Sequence, residues 1–457
     1  MEKLKFSNNI VILGYGTIAK AVLPHIHDHF DIDASQVTVL AIDVPDQAPQ
    51  NTPFSFHAKV FSKENHEEIL ETFCTDGDLL VNLTAEISST DLMAWCAAQG
   101  VLYLDTCIEL WPDEVEVDNL TYDERKELLD LQSKLPADGP TALSSMGANP
   151  GVVSLLTKKI IFQTARDLNL IDTVPTTQHE WAELAKKLGV HTIHVNERDT
   201  QYSERQFTPK DFVSTWSVAA MITESIESGE MSIGTHEPGL PAGSQYSGKE
   251  NTRDIYFQRP GKDVRIKTWL PLAGETVGMI LNHNEPYSIA ELYTTKDGDY
   301  SPTTCFVYHP SDQTMESLKY LTTENYQDFS PHLLLDDIAG GRDELGVFIM
   351  TKDHGNHWVG SQLDINTARS INPESSATSL QVAGGVLAGM CWIVQHPNQG
   401  IIEPENIAEF EDLLTVAERY WGGFVTAQSA WKPHDSEKPP VFSDFVITSE
   451  QSTESGD

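Results

Sequence analysis

Asn9-Ile10-Val11-Ile12-Leu13-Gly14-Tyr15-Gly16-Thr17-Ile18-Ala19 is an apolar run that breaks into G-x-G-x-x-A and then into a helical pattern over residues 18–25. That order of strand, glycine turn and helix suits a pyrophosphate. Gly14 permits the tight turn, Gly16 lets the backbone approach the phosphates, and small Ala19 lets the helix pack on the strand. The free N–H groups at the helix start add a partial positive charge. A dinucleotide is therefore the first ligand to expect.

Features downstream strengthen this reading. A second strand-like run, Val37-Thr38-Val39-Leu40-Ala41-Ile42, ends in Asp43, where a carboxylate accepts hydrogen bonds from an adenosine ribose. Residues 44–49 hold no Arg or Lys for a 2′-phosphate, so NAD is expected rather than NADP. Two more apolar runs, Leu79–Leu83 and Val101–Asp105, follow at α/β spacing. The fold class expected is α/β, a Rossmann-type doubly wound parallel sheet followed by a second mixed α/β domain with a sizeable sheet. The candidate cofactor contacts are Gly14, Gly16, Thr17, Ile18, Asp43, Asn82, Leu83, Asp105, Thr106, Ala148, Asn149 and Pro150.

Composition bounds the function class. The chain has 457 residues, too many for one ordinary core. No stretch reaches the roughly 18 uninterrupted apolar residues of a membrane span, and the N-terminus runs into the first strand without a signal-peptide pattern. Five cysteines, with no C-x-x-C pair, suggest reduced cytoplasmic thiols and no metal site. The formal charge of −38 disfavours nucleic acid and anionic membranes and favours cationic ligands.

Residues 1–150 read as the dinucleotide domain, with Thr121–Leu135 an amphipathic helix and Thr141–Met146 a further strand. Residues 151–375 read as a mixed α/β substrate and dimerisation domain, with β-like runs at Val264–Leu270, Tyr287–Thr294 and Thr304–Tyr308. Ser376–Gln395 is apolar nearly all round, and its glycines suggest close packing. Residues 376–433 are expected to return to the first domain. The polar, acidic stretch 434–457 is expected to be a disordered tail.

Several segments could carry chemistry. Gly147-Ala148-Asn149-Pro150-Gly151 falls where the last parallel strand delivers its C-terminal end, so Asn149 offers an amide near a nicotinamide. Glu109 lies beyond the strand ending at Asp105 and could face the same crevice. Ile193–Gln201 is a dense polar cluster containing Glu197. Trp216 sits among small polar residues ahead of a helical run that reaches Glu224. Judged singly, Trp216 reads as core and Glu197 and Glu224 as surface carboxylates, yet an indole face beside a cationic ligand is a natural ammonium platform. His283 follows an apolar run and is a candidate proton shuttle, although one of 16 histidines. Asp343 marks one more acidic turn.

The motifs GYGTIA, DTCIELW, MGANPGVVS, the WAEL helix followed by ERDTQ, TWSV, GTHE, HNE, DELGV and LQVAGGVLAGM occur in this order between Ile10 and Gly400. As an ordered set they resemble the bacterial homospermidine synthases, NAD-dependent relatives of the saccharopine dehydrogenases. The resemblance implies a redox-neutral cycle on tightly bound NAD. An amine carbon of putrescine is oxidised to an imine, a second putrescine displaces ammonia, and the Schiff base takes the hydride back to give homospermidine. Spermidine can serve as the donor with loss of diaminopropane.

It also implies roles. Trp216 would stabilise the cationic iminium, Glu197 and Glu224 would hold ammonium groups or relay a proton, and Asn149 and His283 would line the same pocket. Glu109 and Asp343 would be further acidic walls, and the enzyme would be a cytoplasmic homodimer. Ala219 departs from the family, which places an acidic residue three past the tryptophan in at least one member. That puts the choice among diamines in question. Two alternatives stay open. A net reductive relative, a saccharopine reductase or carboxynorspermidine synthase, would need a carboxylate-binding arginine such as Arg198, Arg253, Arg265 or Arg342. A non-catalytic dinucleotide sensor would need no tryptophan and carboxylates together.

Overall fold

In the computed structural model, which describes residues 2–45, 53–114, 120–248, 253–435 and 438–447, Ile10–Leu13 forms a fully buried central strand. Around it lies a seven-stranded sheet. Its order is Ser55–Ala58, Val37–Ala41, Ile10–Leu13, Leu79–Asn82, Leu102–Asp105, Ala142–Leu143 and Ile401–Ile402. The neighbouring strands of this sheet all pair in parallel. Parallel strands covered on both faces read as continuous apolar runs, which is why these segments are legible in the sequence. Strand order reverses beside Ile10–Leu13, so the crevice at the C-terminal ends of Ile10–Leu13 and Leu79–Asn82 is the ligand position of an open α/β sheet.

The chain divides into two units. The first comprises Met1–Val117, Glu124–Val152 and Asn366–Trp421, and the second Asp118–Asp123, Val153–Ile365 and Gly422–Asp457. In the first, the helix Ala377–Gln395 starts at a capping box in which the Ser376 and Ser379 side chains satisfy each other's backbone N–H groups. It is long and apolar enough to cross a membrane, but 89% of its apolar window is buried inside the protein. A side chain at Gly385 would put its Cβ 2.0 Å from the Gly147 carbonyl oxygen. The helix backbone thus packs directly on the turn that carries Asn149, and the small residue there is a packing requirement.

The second unit is built on a ten-stranded mixed sheet. Val190–Asp199 lies at its centre, parallel to Thr303–His309 on one side and antiparallel to Arg342–Thr351 on the other. Asn356–Asp364 and then Val425–Ser429 continue the sheet beyond Arg342–Thr351, so residues 425–429 pair in this unit instead of returning to the first. The hairpin Arg265–Leu270/Gly274–Ile280 joins at Thr303–His309.

Two expectations are corrected. Tyr287–Thr294 is not a β-run, because Glu285–Tyr293 is a helix. Pro286 supplies the fixed φ of a first helical turn, and Tyr287, Ile289, Ala290, Leu292 and Tyr293 are all buried. A helix buried nearly all round has no polar face, so its pattern mimics a buried strand. The stretch after His434 is not disordered throughout either. Phe442–Phe445 forms a short helix, with Phe442 2% and Phe445 1% exposed in a cluster with Phe257, Val307, Phe348 and Trp358. Burying two phenylalanines contributes about 3–6 kcal/mol, enough to hold a polar segment against the sheet. Residues 448–457 lie outside the described residues.

Candidate functional site

The first unit carries the dinucleotide half. Gly14 has φ +93°, a backbone that L side chains rarely adopt, and a Cβ there would stand 2.8 Å from the Leu83 carbonyl oxygen. Gly16 is extended, with φ −81° and ψ −164°, and a Cβ there would meet nothing within 4 Å. The turn is held by Gly14 N–H to the Leu40 carbonyl, 2.8 Å, and by Leu83 N–H to the Leu13 carbonyl, 2.9 Å. The cradle over Gly16 is open while its floor is fixed, which fits a pyrophosphate. Asp43 is exposed just past the end of Val37–Ala41, where it can face a ribose.

Two residues expected to face the cofactor instead turn inward. Asn82 is 1% exposed, and its Oδ1 accepts from the Thr84 hydroxyl at 2.7 Å and the Thr84 N–H at 3.2 Å. Asp105, also 1% exposed, accepts from the Ser145 N–H at 2.6 Å, the Ser144 hydroxyl at 3.2 Å and the Tyr103 hydroxyl at 3.0 Å. Burial raises the Asp105 carboxyl to about 6 against these donors. Ser145 sits at φ +60°, so Asp105 stabilises the left-handed turn that leads to Gly147–Gly151. Asn149 is half-buried on that turn and Thr106 half-buried beside Asp105, whereas Ala148 and Pro150 are buried. Glu109 accepts the Cys107 thiol at 2.9 Å and is anchored by its N–H on the Ser89 hydroxyl at 3.0 Å.

The second unit carries a carboxylate and aromatic cluster on one sheet face. Strand alternation puts Glu197 and Asp199 on the same side of Val190–Asp199. Tyr308 stands opposite Glu197 and Asp343 opposite Asp199, and residues paired across strands share a face. Glu197 is 3% and Asp343 0% exposed, so neither is a surface carboxylate. Phe306, two before Tyr308 on that face, packs at a tilt of 32° against the His283 ring with centroids 4.4 Å apart.

His283 lies between two carboxylates, with Nδ1 3.1 Å from Glu285 and Nε2 3.5 Å from Glu224. Burial disfavours its charge, but Glu285 and Glu224 outweigh it and push the imidazole up to about 10. It is an imidazolium at neutral pH and therefore a proton donor. Glu224, on the helix Val218–Ile226, is 20% exposed in its side chain.

Trp216 is half-buried in the loop between the strand Asp211–Ser214 and that helix. Its indole N–H donates to the Tyr308 hydroxyl, whose own proton is held tightly by burial and by the charges of Glu197, Asp199 and Asp343. Trp216, Glu197, Asp343, Glu224 and His283 thus share one neighbourhood. Asp199, Tyr308, Phe306 and Glu285 belong to it and escape a reading of the sequence alone. The signal for the first three is alternation with Glu197 along paired strands, and for Glu285 its place two residues past His283.

Three of the four arginines of the reductive alternative are placed otherwise. Arg198 alternates to the opposite face from Glu197, where it binds Asp312 at 2.7 Å and the Pro310 carbonyl at 2.9 Å. Arg265 and Arg342 are exposed at strand starts.

Comparison with known proteins finds a family match in both units. The family model described as the saccharopine dehydrogenase NADP binding domain matches residues 10–143. That described as the saccharopine dehydrogenase C-terminal domain matches residues 147–422. The chain is 35% identical over 462 residues to a homospermidine synthase of Blastochloris viridis, covering 96% of this chain and 95% of the other. It is 34% identical over 451 residues to one of Mesorhizobium japonicum, covering 95% and 92%. A crystal structure of the homospermidine synthase of Legionella pneumophila in complex with NAD superposes with a TM-score of 0.90 at 32% identity, covering 98% and 99%. A saccharopine dehydrogenase of Saccharomyces cerevisiae shares the fold, with a TM-score of 0.55 at 10% identity, over 93% of this chain and 100% of that one. With both domain models matched and relatives of this identity along nearly its whole length, the chain belongs to the saccharopine dehydrogenase family, among its homospermidine synthases.

Proposed function

We propose that the protein makes homospermidine from putrescine in an NAD-dependent cycle without net redox change. The observation that carries the reading is one sheet face that brings an indole, several buried carboxylates and an imidazolium together. That set suits a dication whose reacting end becomes an iminium. Bound NAD supplies the hydride acceptor for the first half of the cycle and the donor for the second. Asp43 and the absence of Arg or Lys in residues 44–49 support NAD over NADP, although the matched family model carries NADP in its description.

The chain's own residues do the rest. Hydride leaves only from an amine with a free lone pair, so an ammonium must first lose a proton. Glu197, buried beside Tyr308 and Asp343, is the base we assign, because a desolvated site disfavours the ion pair against neutral amine and carboxylic acid and so lets the proton move. The Trp216 face stabilises the iminium, an arrangement fixed before the charge develops. His283, held protonated by Glu285 and Glu224, gives its proton to the departing ammonia. Glu224 and Asp343 hold distal ammonium groups. Putrescine and spermidine are the donors proposed. A cytoplasmic homodimer accompanies the reading, its oligomeric state tested by sedimentation and its location by cell fractionation.

The net reductive reading loses support because Arg198 points away from Glu197 and is already paired. Incubation with putrescine and a trace of NAD, followed by mass spectrometry, tests the proposal. Homospermidine and ammonia in excess of NAD establish the cycle. A reaction that stops at one equivalent of cofactor refutes it.

A further inference from the structure

The loop bearing the indole is tied at its first residue to a carboxylate outside the roles above. Asp199 is fully buried and two residues along the strand from Glu197. Its Oδ1 accepts from the Gln201 N–H at 2.7 Å and the Gln201 side-chain amide at 3.1 Å. Its Oδ2 accepts from the Thr215 hydroxyl at 2.5 Å. Thr215 is 1% exposed and directly precedes Trp216.

After the tryptophan, the Ser217 hydroxyl caps the next helix by accepting the Ala220 N–H at 3.2 Å. The segment 215–217 is therefore pinned before Trp216 by Asp199 and after it by a helix cap. Among the described residues, the strand Asp211–Ser214 pairs only with the short strand Ser330–Leu333, in a two-stranded sheet of its own. Backbone ladders of the large sheet therefore do not hold it. The side-chain bond from Thr215 is a direct link between the tryptophan loop and the strand that carries Glu197.

We infer that Asp199 and Thr215 are positioning residues for Trp216. Together with the indole's own bond to the Tyr308 hydroxyl, their hydrogen bond sets the height and tilt of the indole over the sheet face where Glu197 and Tyr308 stand. The chemistry demands such a device. A cation–π contact weakens as the ring turns edge-on, because the ring edge carries positive partial charge. A buried charge-assisted hydrogen bond is short and directional, so it holds a three-residue loop better than packing alone. Asp199 has both oxygens committed, to Gln201 and to Thr215, which makes it a clamp between two loops. The inference rests on the reading of Trp216 as the cation platform.

The test uses Thr215→Val, which removes the hydroxyl at nearly constant shape, with Thr215→Ser as the variant that keeps it. The full chain is labelled with 5-fluorotryptophan, and the Trp216 resonance is assigned by its loss in Trp216→Phe. The expected result is a shifted or broadened Trp216 signal in Thr215→Val and a wild-type position in Thr215→Ser. For turnover, kcat should fall about tenfold in Thr215→Val, with NAD affinity and the KM for putrescine within about twofold and recovery in Thr215→Ser. If Thr215→Val does not fold, Thr215→Ala serves instead, since it also removes the hydroxyl that binds Asp199. An unmoved Trp216 resonance, or wild-type kcat in a folded variant, overturns the inference. A wild-type protein that forms no homospermidine overturns the function, while the resonance still decides the clamp.

Discussion

Replacing Gly16 by alanine separates ligand clearance from folding in the glycine turn. Gly16 has an extended backbone, and a methyl group added to it would meet nothing within 4 Å, so alanine fits the protein itself. The change at a helix N-cap costs less than about 1 kcal/mol. Gly14 is the contrast. Its φ of +93° and the Leu83 carbonyl oxygen 2.8 Å from the added Cβ predict a loss of about 3 kcal/mol from strain and backbone collision.

The ligand sees the reverse. A methyl on Gly16 projects into the space where our reading puts the pyrophosphate, and overpacking by one carbon costs about 1–3 kcal/mol, up to roughly 100-fold in affinity. At NAD concentrations near 100 times the wild-type Kd, ligand binding stabilises the wild type by about 2.7 kcal/mol. A variant binding about 100-fold more weakly retains about 0.4 kcal/mol of that. Tm moves by about 2–4 °C per kcal/mol in a domain of this size. Wild type should therefore rise about 5–10 °C with NAD and Gly16→Ala about 1 °C, from nearly equal starting points. Gly14→Ala should start about 6–12 °C lower. Calorimetric titration with NAD is the direct assay. Wild-type NAD affinity in folded Gly16→Ala would refute the placement of the pyrophosphate over this turn.

Three further outcomes follow from the site and its support. Trp216→Ala should lose at least about 30-fold in kcat, from a desolvated cation–π contact of about 2 kcal/mol or more, while NAD still binds in titration; full turnover would remove the indole from the mechanism. Glu285→Gln takes away the largest charge that raises the His283 imidazole, so the His283 titration, followed by nitrogen NMR, should move down by about a unit or more, and an unchanged value would break the link. The sign for stability follows from the raised folded value. The stabilisation by His283 is fully present below about 6.5 and lost as pH climbs through about 10, so wild-type stability should decline across that window and Glu285→Gln should flatten the decline. Arg125→Met breaks the buried pair in which Arg125 meets both oxygens of Glu403 at 2.8 Å, and leaving that carboxylate unpaired should cost about 3–5 kcal/mol, read as a lower denaturation midpoint.

The sequence by itself determined the dinucleotide half of this protein. Its signals are local: a strand continuous in apolar residues, glycines at fixed offsets, and an acidic residue closing the second strand. Each reflects the steric needs of a few consecutive residues, so no distant contact was required to read it. The ordered motifs also carried Trp216, Glu197, Glu224, His283 and Asp343 by resemblance. Tertiary structure alone decided their environment. Glu197 looked like a surface carboxylate because burial depends on which strands flank it, and Thr303–His309 and Arg342–Thr351 come from more than 100 residues away. Asp199 became a clamp only when Thr215 arrived beside it, and His283 an imidazolium only once Glu224 and Glu285 closed on both ring nitrogens. The helix Glu285–Tyr293 hid behind an all-round apolar pattern, and two buried phenylalanines ordered a tail whose composition suggested none. Local geometry is written in neighbouring residues, whereas desolvation and charge proximity are sums over partners that only the folded chain brings together.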